Sequence, residues 1–181
     1  MESGKSMFMI GAAVITIGVL SLPGVGLAQL SQNVAEPQSD MWSAGGGIGF
    51  LGATPSGTAF SLNVHADNFL TRYVSIGPLL QVTFTGSLSQ VGLSGQARYW
   101  FDIPDTANRA KLVLQAGIGF VHADRLDSDT SWLIPIGFGL DYAVAQRMAL
   151  TADFLVNFAD LDTGHGKDAH VMPGLYFGVR F

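Results

Sequence analysis

The chain has 181 residues, of which only 13% are charged, and its formal net charge is −5 at pH 7. Soluble domains are typically about 25% charged, so this composition leaves too few charges to cover a water-facing surface. The net negative charge argues against nucleic-acid binding, which needs clustered Lys and Arg. The absence of cysteine excludes a disulfide scaffold and a lipoprotein.

The N-terminal region has the pattern of a targeting segment. Residues 7–22 are almost wholly apolar, and the small residues Gly26 and Ala28 occupy the positions expected at a cleavage site. This pattern predicts a secretory signal peptide at 1–28. A membrane-spanning helix is the alternative, because the apolar stretch carries no charge. The polar residues 29–40 are then expected to form a disordered periplasmic leader.

From Met41 onward the chain consists of apolar-alternating runs separated by turn residues. No stretch shows a sustained 3.6-residue apolar stripe with helix caps. Eight runs are predicted as strands: 42–51, 58–67, 73–85, 88–101, 111–123, 131–142, 147–158 and 170–181. The segment 41–181 is therefore predicted to be a single all-β domain.

The two faces of the runs differ in chemistry, as the fourth run shows. Tyr99 and Phe101 lie on a bulky apolar face, and Gln96 and Arg98 lie on the opposite one. A water-facing sheet should be rich in Lys, Glu and Thr, whereas the smaller face here is rich in Gly, Ser and Gln. Apolar residues toward lipid and polar residues toward a lumen are typical of a transmembrane barrel. We therefore predict an eight-stranded antiparallel up-and-down transmembrane β-barrel.

The same pattern assigns the polar and aromatic residues to places in that barrel. An Arg that faced lipid at the midplane would cost about 2–4 kcal/mol, so strand charges are expected to point inward. The predicted polar network of the lumen is His65, Asp67, Gln81, Gln96, Arg98, Gln115, Asp141, Asp153, Asn157 and Arg180. Aromatic residues expected in interfacial girdles are Trp132, Tyr142, Tyr99, Phe101, Phe158 and Phe181.

Two stretches resemble the strands of small outer-membrane barrels of the OmpA/OmpX/OmpW type. They are LSGQARYWFDIPDTANRAKLVLQAGIGFVHAD at 93–124 and GFGLDYAVAQRMALTADFLVNF at 137–158. The end of the chain is similar to the C-terminal signal of that family, in which the last aromatic residue is read by the barrel-assembly machinery. The residues that match this signal are Tyr176, Phe177, Val179 and Phe181.

The resemblance also implies a cellular setting. It implies an outer-membrane location after secretion, with periplasmic chaperones and the assembly machinery as partners during biogenesis. Outer-membrane lipids and lipopolysaccharide are the expected surroundings of a monomer that holds no cofactor. Both chain ends would be periplasmic. The expected outer loops are 52–57, 85–90, 124–131 and 159–169.

Three functions are compatible with such a barrel. A structural or surface-interaction role without catalysis is the main prediction, because eight strands leave an interior that side chains can fill. A narrow pore for small or apolar solutes is the first alternative, although inward residues such as Trp100 would obstruct it. A lipid-modifying acyl hydrolase or transferase is the second, with His122, Asp124 and Ser131 as the group that would have to meet.

Two other patterns receive structural interpretations. Residues 47–52 match GxGxxG by letter, but turn residues and another alternating run follow instead of a helix, so no dinucleotide site is predicted. His165 and His170 share a segment with Asp162 and Asp168, and this spacing matches no closed metal site. A solvated loop is the expected structure there, and no metal is predicted.

Overall fold

The structure is a computed structural model that describes residues 39–86, 88–124, 128–162 and 168–181. The predicted signal peptide 1–28 and residues 29–38 of the predicted leader lie outside these ranges. Within them, no helix is long and apolar enough to cross a membrane.

Eight antiparallel strands follow one another around a closed barrel. They are β1 (Trp42–Thr54), β2 (Gly57–Phe69), β3 (Val74–Phe84), β4 (Ser89–Asp102), β5 (Ala110–Asp124), β6 (Ser128–Ala145), β7 (Met148–Asp162) and β8 (Asp168–Arg180). Each strand pairs with its neighbour in sequence, and β1 also pairs with β8. The predicted eight-stranded up-and-down fold is confirmed. The GxGxxG segment lies within β1, where no helix opens.

The chain ends inside the hydrogen-bonded wall. The N–H of Phe181 donates to the carbonyl oxygen of Ala44 at 2.8 Å, and the N–H of Ala44 donates to the carbonyl oxygen of Phe181 at 3.0 Å. One residue earlier, Arg180 pairs with Gly45. Phe181 therefore extends the seam between the first strand and the last by one more pair of hydrogen bonds.

The strands are staggered around the barrel. A path of paired residues starts at Leu51 in β1, crosses β8, β7, β6, β5, β4 and β3 in turn, and reaches Phe69 in β2. The N–H of Phe69 donates to the carbonyl oxygen of Met41, so the path returns to β1 ten residues earlier in the chain. Such a stagger requires strands tilted by about 35–45° from the barrel axis.

Two ladders are interrupted without a change of register, and each interruption lies beside a proline. The β2–β3 partners stop at His65 and resume at Asn68, opposite Pro78. The β5–β6 partners stop at Ala116 and resume at Gly119, opposite Pro135. Proline has no N–H to donate to a ladder, which accounts for both interruptions. The wall formed by β3, β4 and β5 lies between them.

At the end of the barrel that carries the β1–β2 turn, which we call the loop end, strands β5 to β8 extend further than was predicted from the sequence. Within the expected loops 124–131 and 159–169, every described residue belongs to a strand, and residues 125–127 and 163–167 lie outside the described ranges. Polar side chains continue the pairing there. Ser131 Oγ accepts from the N–H of Asp160 at 3.0 Å, and Asp129 Oδ2 accepts from the N–H of Asp162 at 2.8 Å.

Candidate functional site

The outer wall is apolar, and most of its aromatic residues fall into two rings, with Phe138, Phe154 and Phe177 lying between them. The ring near the start of β1 and the end of β8 contains Trp42, Tyr73, Tyr99, Phe101, Tyr142 and Phe181, and the ring near the β1–β2 turn contains Phe50, Phe60, Phe84, Phe120, Trp132 and Phe158. We call these the lower ring and the upper ring. Ring contacts link neighbouring strands, with centroids 5.4 Å apart for Phe60 and Phe84 and 6.4 Å apart for Tyr73 and Tyr99. An apolar band between two aromatic girdles is the outer surface of a transmembrane barrel.

Apolar side chains occupy the interior at three levels. The cluster at the loop end contains Leu51, Leu88, Val121, Ala123, Leu133, Ala159, Leu161, Ala169 and Met172. A middle cluster contains Leu79, Leu155 and Tyr176, and a cluster toward the start of β1 and the end of β8 contains Phe69, Trp100 and Val113. Leu79, Leu155 and Trp100 are each 1% exposed. Polar groups lie at levels between these clusters.

A buried ion pair joins β2 and β4. Arg98 donates to Asp67 Oδ2 at 3.0 Å, and the side chains are only 5% and 0% exposed. Ser75 donates to the second oxygen of Asp67 at 3.3 Å, and Trp100 Nε1 donates to Ser75 at 3.0 Å. His65 Nε2 lies 3.7 Å from Asp67 Oδ2. Every strong contact of Asp67 therefore comes from a residue on β2, β3 or β4.

A second ion pair lies close to the end of β8. Arg180 donates through Nε to Asp141 Oδ2 at 2.8 Å and through a terminal nitrogen to Oδ1 at 3.1 Å. This two-bond geometry is the strong form of an arginine–carboxylate contact. The guanidinium also lies over the Trp100 ring, 5.0 Å from its centroid. The last strand is thus tied to β6 and β4 across the interior.

A neutral polar group surrounds the hydroxyl of Tyr176. Ser61 Oγ lies 3.1 Å from that hydroxyl and 2.8 Å from the hydroxyl of Thr83, and Gln81 Nε2 donates to the Tyr176 oxygen at 3.3 Å. These bonds connect β2, β3 and β8. Tyr176 was named as a site residue only for the C-terminal signal, and its hydrogen bonds inside the lumen were missed.

The remaining predicted lumen residues are also inward and buried. The Gln115 amide and Asn157 Oδ1 have no hydrogen-bond partner among the described residues. The Asp153 carboxylate lies over Gly139, where an added Cβ would be 2.2 Å from Asp153 Oδ1. Rotation of the Gln96 amide lets its oxygen accept from Arg98 at 3.2 Å. Serine and threonine partners were missed by the sequence analysis, although they alternate in phase with the predicted residues.

At the rim of the barrel, below the lower ring, Asp102 accepts hydrogen bonds from Lys111 and Arg72, the latter at 2.7 Å. The bond from Lys111 is the main cause that lowers the pKa of the Asp102 carboxyl below its ordinary value, and the bond from Arg72 adds to it. A carboxyl whose pKa is lower in the folded protein stabilises the fold above its unfolded pKa of about 3.9. That stabilisation is lost as the pH falls through the folded-state pKa.

We expect Asp102→Asn to lower the free energy of unfolding at neutral pH by about 1 kcal/mol or less, because the rim is partly solvated. The difference from the wild type should shrink as the pH is lowered below about 4, where the wild-type carboxylate is itself protonated. Urea titrations of the refolded barrel at neutral and acidic pH measure both values. An unfolding difference that stayed constant with pH would show that Asp102 does not act through its charge.

The proposed acyl-transfer group does not come together at the loop end. His122 and Ser131 lie on opposite faces of the sheet, because the register pairs His122 with Thr130 and Val121 with Ser131. His122 Nδ1 lies 2.8 Å from the Thr130 hydroxyl, and Ser131 Oγ accepts from backbone. A serine and a base must be within hydrogen-bond reach for this chemistry.

The histidine segment near the β7–β8 connection also departs from the candidate metal group. His170 Nδ1 lies 3.2 Å from Asp160, and both side chains are more than 60% exposed at 63% and 67%. His165 lies outside the described residues. Over the described part of the chain, no group of three or more His, Cys, Asp or Glu side chains is arranged to hold a metal.

Comparisons with known proteins rest on the fold. Neither a protein-family model nor a curated protein matches the chain. The chain is similar to Neisserial surface protein A, with a TM-score of 0.59 and 18% identity over 77% of this chain and 94% of that one. It is also similar to the N-terminal β-barrel domain of Pseudomonas aeruginosa OprF, with a TM-score of 0.57 and 17% identity over 80% and 100% of the two chains. The chain therefore has the fold of the eight-stranded outer-membrane β-barrels.

Proposed function

We propose that the protein is an integral outer-membrane β-barrel with a structural or surface-interaction role and no catalytic activity. The observation that carries this proposal is the inverted distribution of side chains. Residues such as Ile118 and Phe120, which are 70% and 71% exposed, cover the outer wall, while Asp67 and Arg98 are buried inside. In water this arrangement would expose a large apolar surface. In a bilayer the apolar outer wall faces lipid and the polar side chains face the lumen.

A lumen closed by side chains is the second part of the proposal. The three apolar clusters lie one after another along the interior, so a solute would meet Trp100, then Leu79 and Leu155, and then the cluster at the loop end. Each ion pair adds a lateral contact between strands that lie two apart in the barrel, β2 with β4 and β6 with β8. These contacts support a lumen filled with side chains and not a narrow pore. No described residues favour a catalytic role.

The proposed surroundings follow from the same wall. We place outer-membrane lipids, including lipopolysaccharide at the loop end, against the apolar band. We assign the assembly machinery to the exposed C-terminal residue, because Phe181 is 62% exposed on the outer wall while its backbone closes the seam. We also propose that the chain is secreted through the predicted signal peptide and escorted by periplasmic chaperones.

We expect the purified barrel to insert into planar bilayers without conductance steps, because the three apolar clusters follow one another along the interior. Insertion is checked first by heat-modifiable migration of the folded band. A protein that stays outside the bilayer would overturn the membrane location. Reproducible conductance steps from an inserted barrel that are changed by Trp100→Ala would instead overturn the closed lumen and support the pore.

A further inference from the structure

One stretch of the membrane-facing wall is concave instead of bulky. A groove of about 740 Å³ opens on the outer side of β3, β4 and β5. Its floor contains Gly95, Ala97 and Ala116, which all face outward. A Cβ built at Gly95 would meet no atom within 4 Å, so the space above it is open. Two walls of the groove are the side chains of Ile76 and Ile118.

The groove follows the stagger of the barrel. One row of paired residues runs from Trp42 through Asn68, Ile76 and Ala97 to Ala116. Because the strands are tilted, this row climbs from the lower aromatic ring toward the middle of the wall. The climb covers about half of a hydrocarbon core that is roughly 30 Å thick, which is the depth of one leaflet.

The mouth of the groove carries a polar group in an apolar setting. Asn68 faces outward beside Trp42, at the level of the lower ring. No hydrogen bond from its side chain to another described residue is present in the structure. An unpartnered amide in hydrocarbon is costly. At the interface, the ester or phosphate oxygens of a phospholipid headgroup can accept its two N–H bonds.

We propose that this groove binds one acyl chain of a phospholipid in the periplasmic leaflet, with the headgroup at Asn68 and Trp42. This inference rests on the proposed location in the outer membrane. Packing against small residues is a main source of association within lipid, where apolar surface alone gives no driving force. The small floor lets a chain lie against the backbone, and the walls on either side limit its lateral motion.

A second barrel is a poorer occupant of the same groove. Trp42 and Ile118 are 65% and 70% exposed and project at its edges, so a convex barrel wall would rest on them and leave the floor empty. A specific protein interface also needs about 1,000 Å² of buried surface, which one groove does not supply. A single flexible acyl chain can reach the floor between the projecting side chains.

The test compares Ala97→Leu with Ala152→Leu in nanodiscs of phosphatidylethanolamine and phosphatidylglycerol. Ala97 is on the groove floor, and Ala152 faces outward on β7, away from the groove. Native mass spectrometry of the released barrel counts the phospholipid that stays bound. We expect one phospholipid on the wild type and on Ala152→Leu, and retention reduced by about tenfold in Ala97→Leu. Asn68→Ala should reduce retention with an unchanged floor.

Two results would overturn the inference. Equal retention by the wild type and Ala97→Leu would show that the groove binds no particular lipid. A dimer of the wild type that Ala97→Leu removes would assign the groove to a second copy of the chain. Heat-modifiable migration is measured on every variant, so that a barrel that fails to insert counts against the proposed location and not against the groove alone.

Discussion

The Arg98→Met protein should have a free energy of unfolding about 3–5 kcal/mol lower than that of the wild type, because the substitution leaves the Asp67 carboxylate buried without its guanidinium. The two side chains are 5% and 0% exposed and lie 3.0 Å apart, so water cannot replace the lost contact without entering the lumen. Urea titration of the refolded barrel, with the folded fraction read from heat-modifiable migration, measures this loss of free energy of unfolding.

Two further variants test whether the buried charge causes this loss. Asp67→Asn combined with Arg98→Met removes both charges and should regain at least half of the lost stability, because neutral groups cost less to bury. Asp160→Asn removes an exposed partner of His170 and should change stability by about 1 kcal/mol or less. If the double variant were as unstable as Arg98→Met alone, the ion pair would not be the cause.

The alternation of side chains was sufficient to predict the fold. In β4 every second residue from Gln90 to Trp100 is buried, and every second residue from Val91 to Phe101 is exposed, as the sequence pattern indicated. A strand reverses the face of its side chains at each residue, so two chemically distinct faces determine which side is inward. The charged strand residues followed the same rule.

The partners of the inward residues could not be read from that pattern. Arg98 and Asp153 both face inward, yet Arg98 bonds to Asp67, which lies two strands away on β2. The stagger of the strands places Arg98 and Asp67 at the same height in the barrel. The stagger itself cannot be predicted from the alternation of side chains. The serine bridge through Ser75 was missed for the same reason, because a serine on a strand has no distinctive signal.

The ends of the strands at the loop side were also underestimated. The apolar alternation fades after residue 123, so a loop was predicted at 124–131. In the structure, Asp129 and Ser131 support the ladder through side-chain bonds to the backbone of β7. Hydrogen bonding continues a strand where hydrophobic patterning has ended, and periodicity alone does not detect it.

Gly49→Ala is expected to destabilise the barrel by about 1–3 kcal/mol, because the added Cβ forces the closing seam apart. The site faces inward on β1, and a Cβ built there lies 1.9 Å from the carbonyl oxygen of Leu175 on β8. That atom belongs to the backbone, so a change of rotamer cannot relieve the contact. The first and last strands must separate, which weakens the pairing that closes the barrel.

Gly52→Ala supplies the matched control on the same strand. A Cβ at Gly52 meets nothing closer than 3.5 Å, so the fold should gain roughly 0.5–1 kcal/mol from the lower entropy of the unfolded chain. Urea midpoints of the two variants should therefore move in opposite directions from the wild type. Equal shifts would mean that glycine acts here through strand propensity alone. Opposite shifts would locate the effect at the β1–β8 seam, where the first and last strands meet.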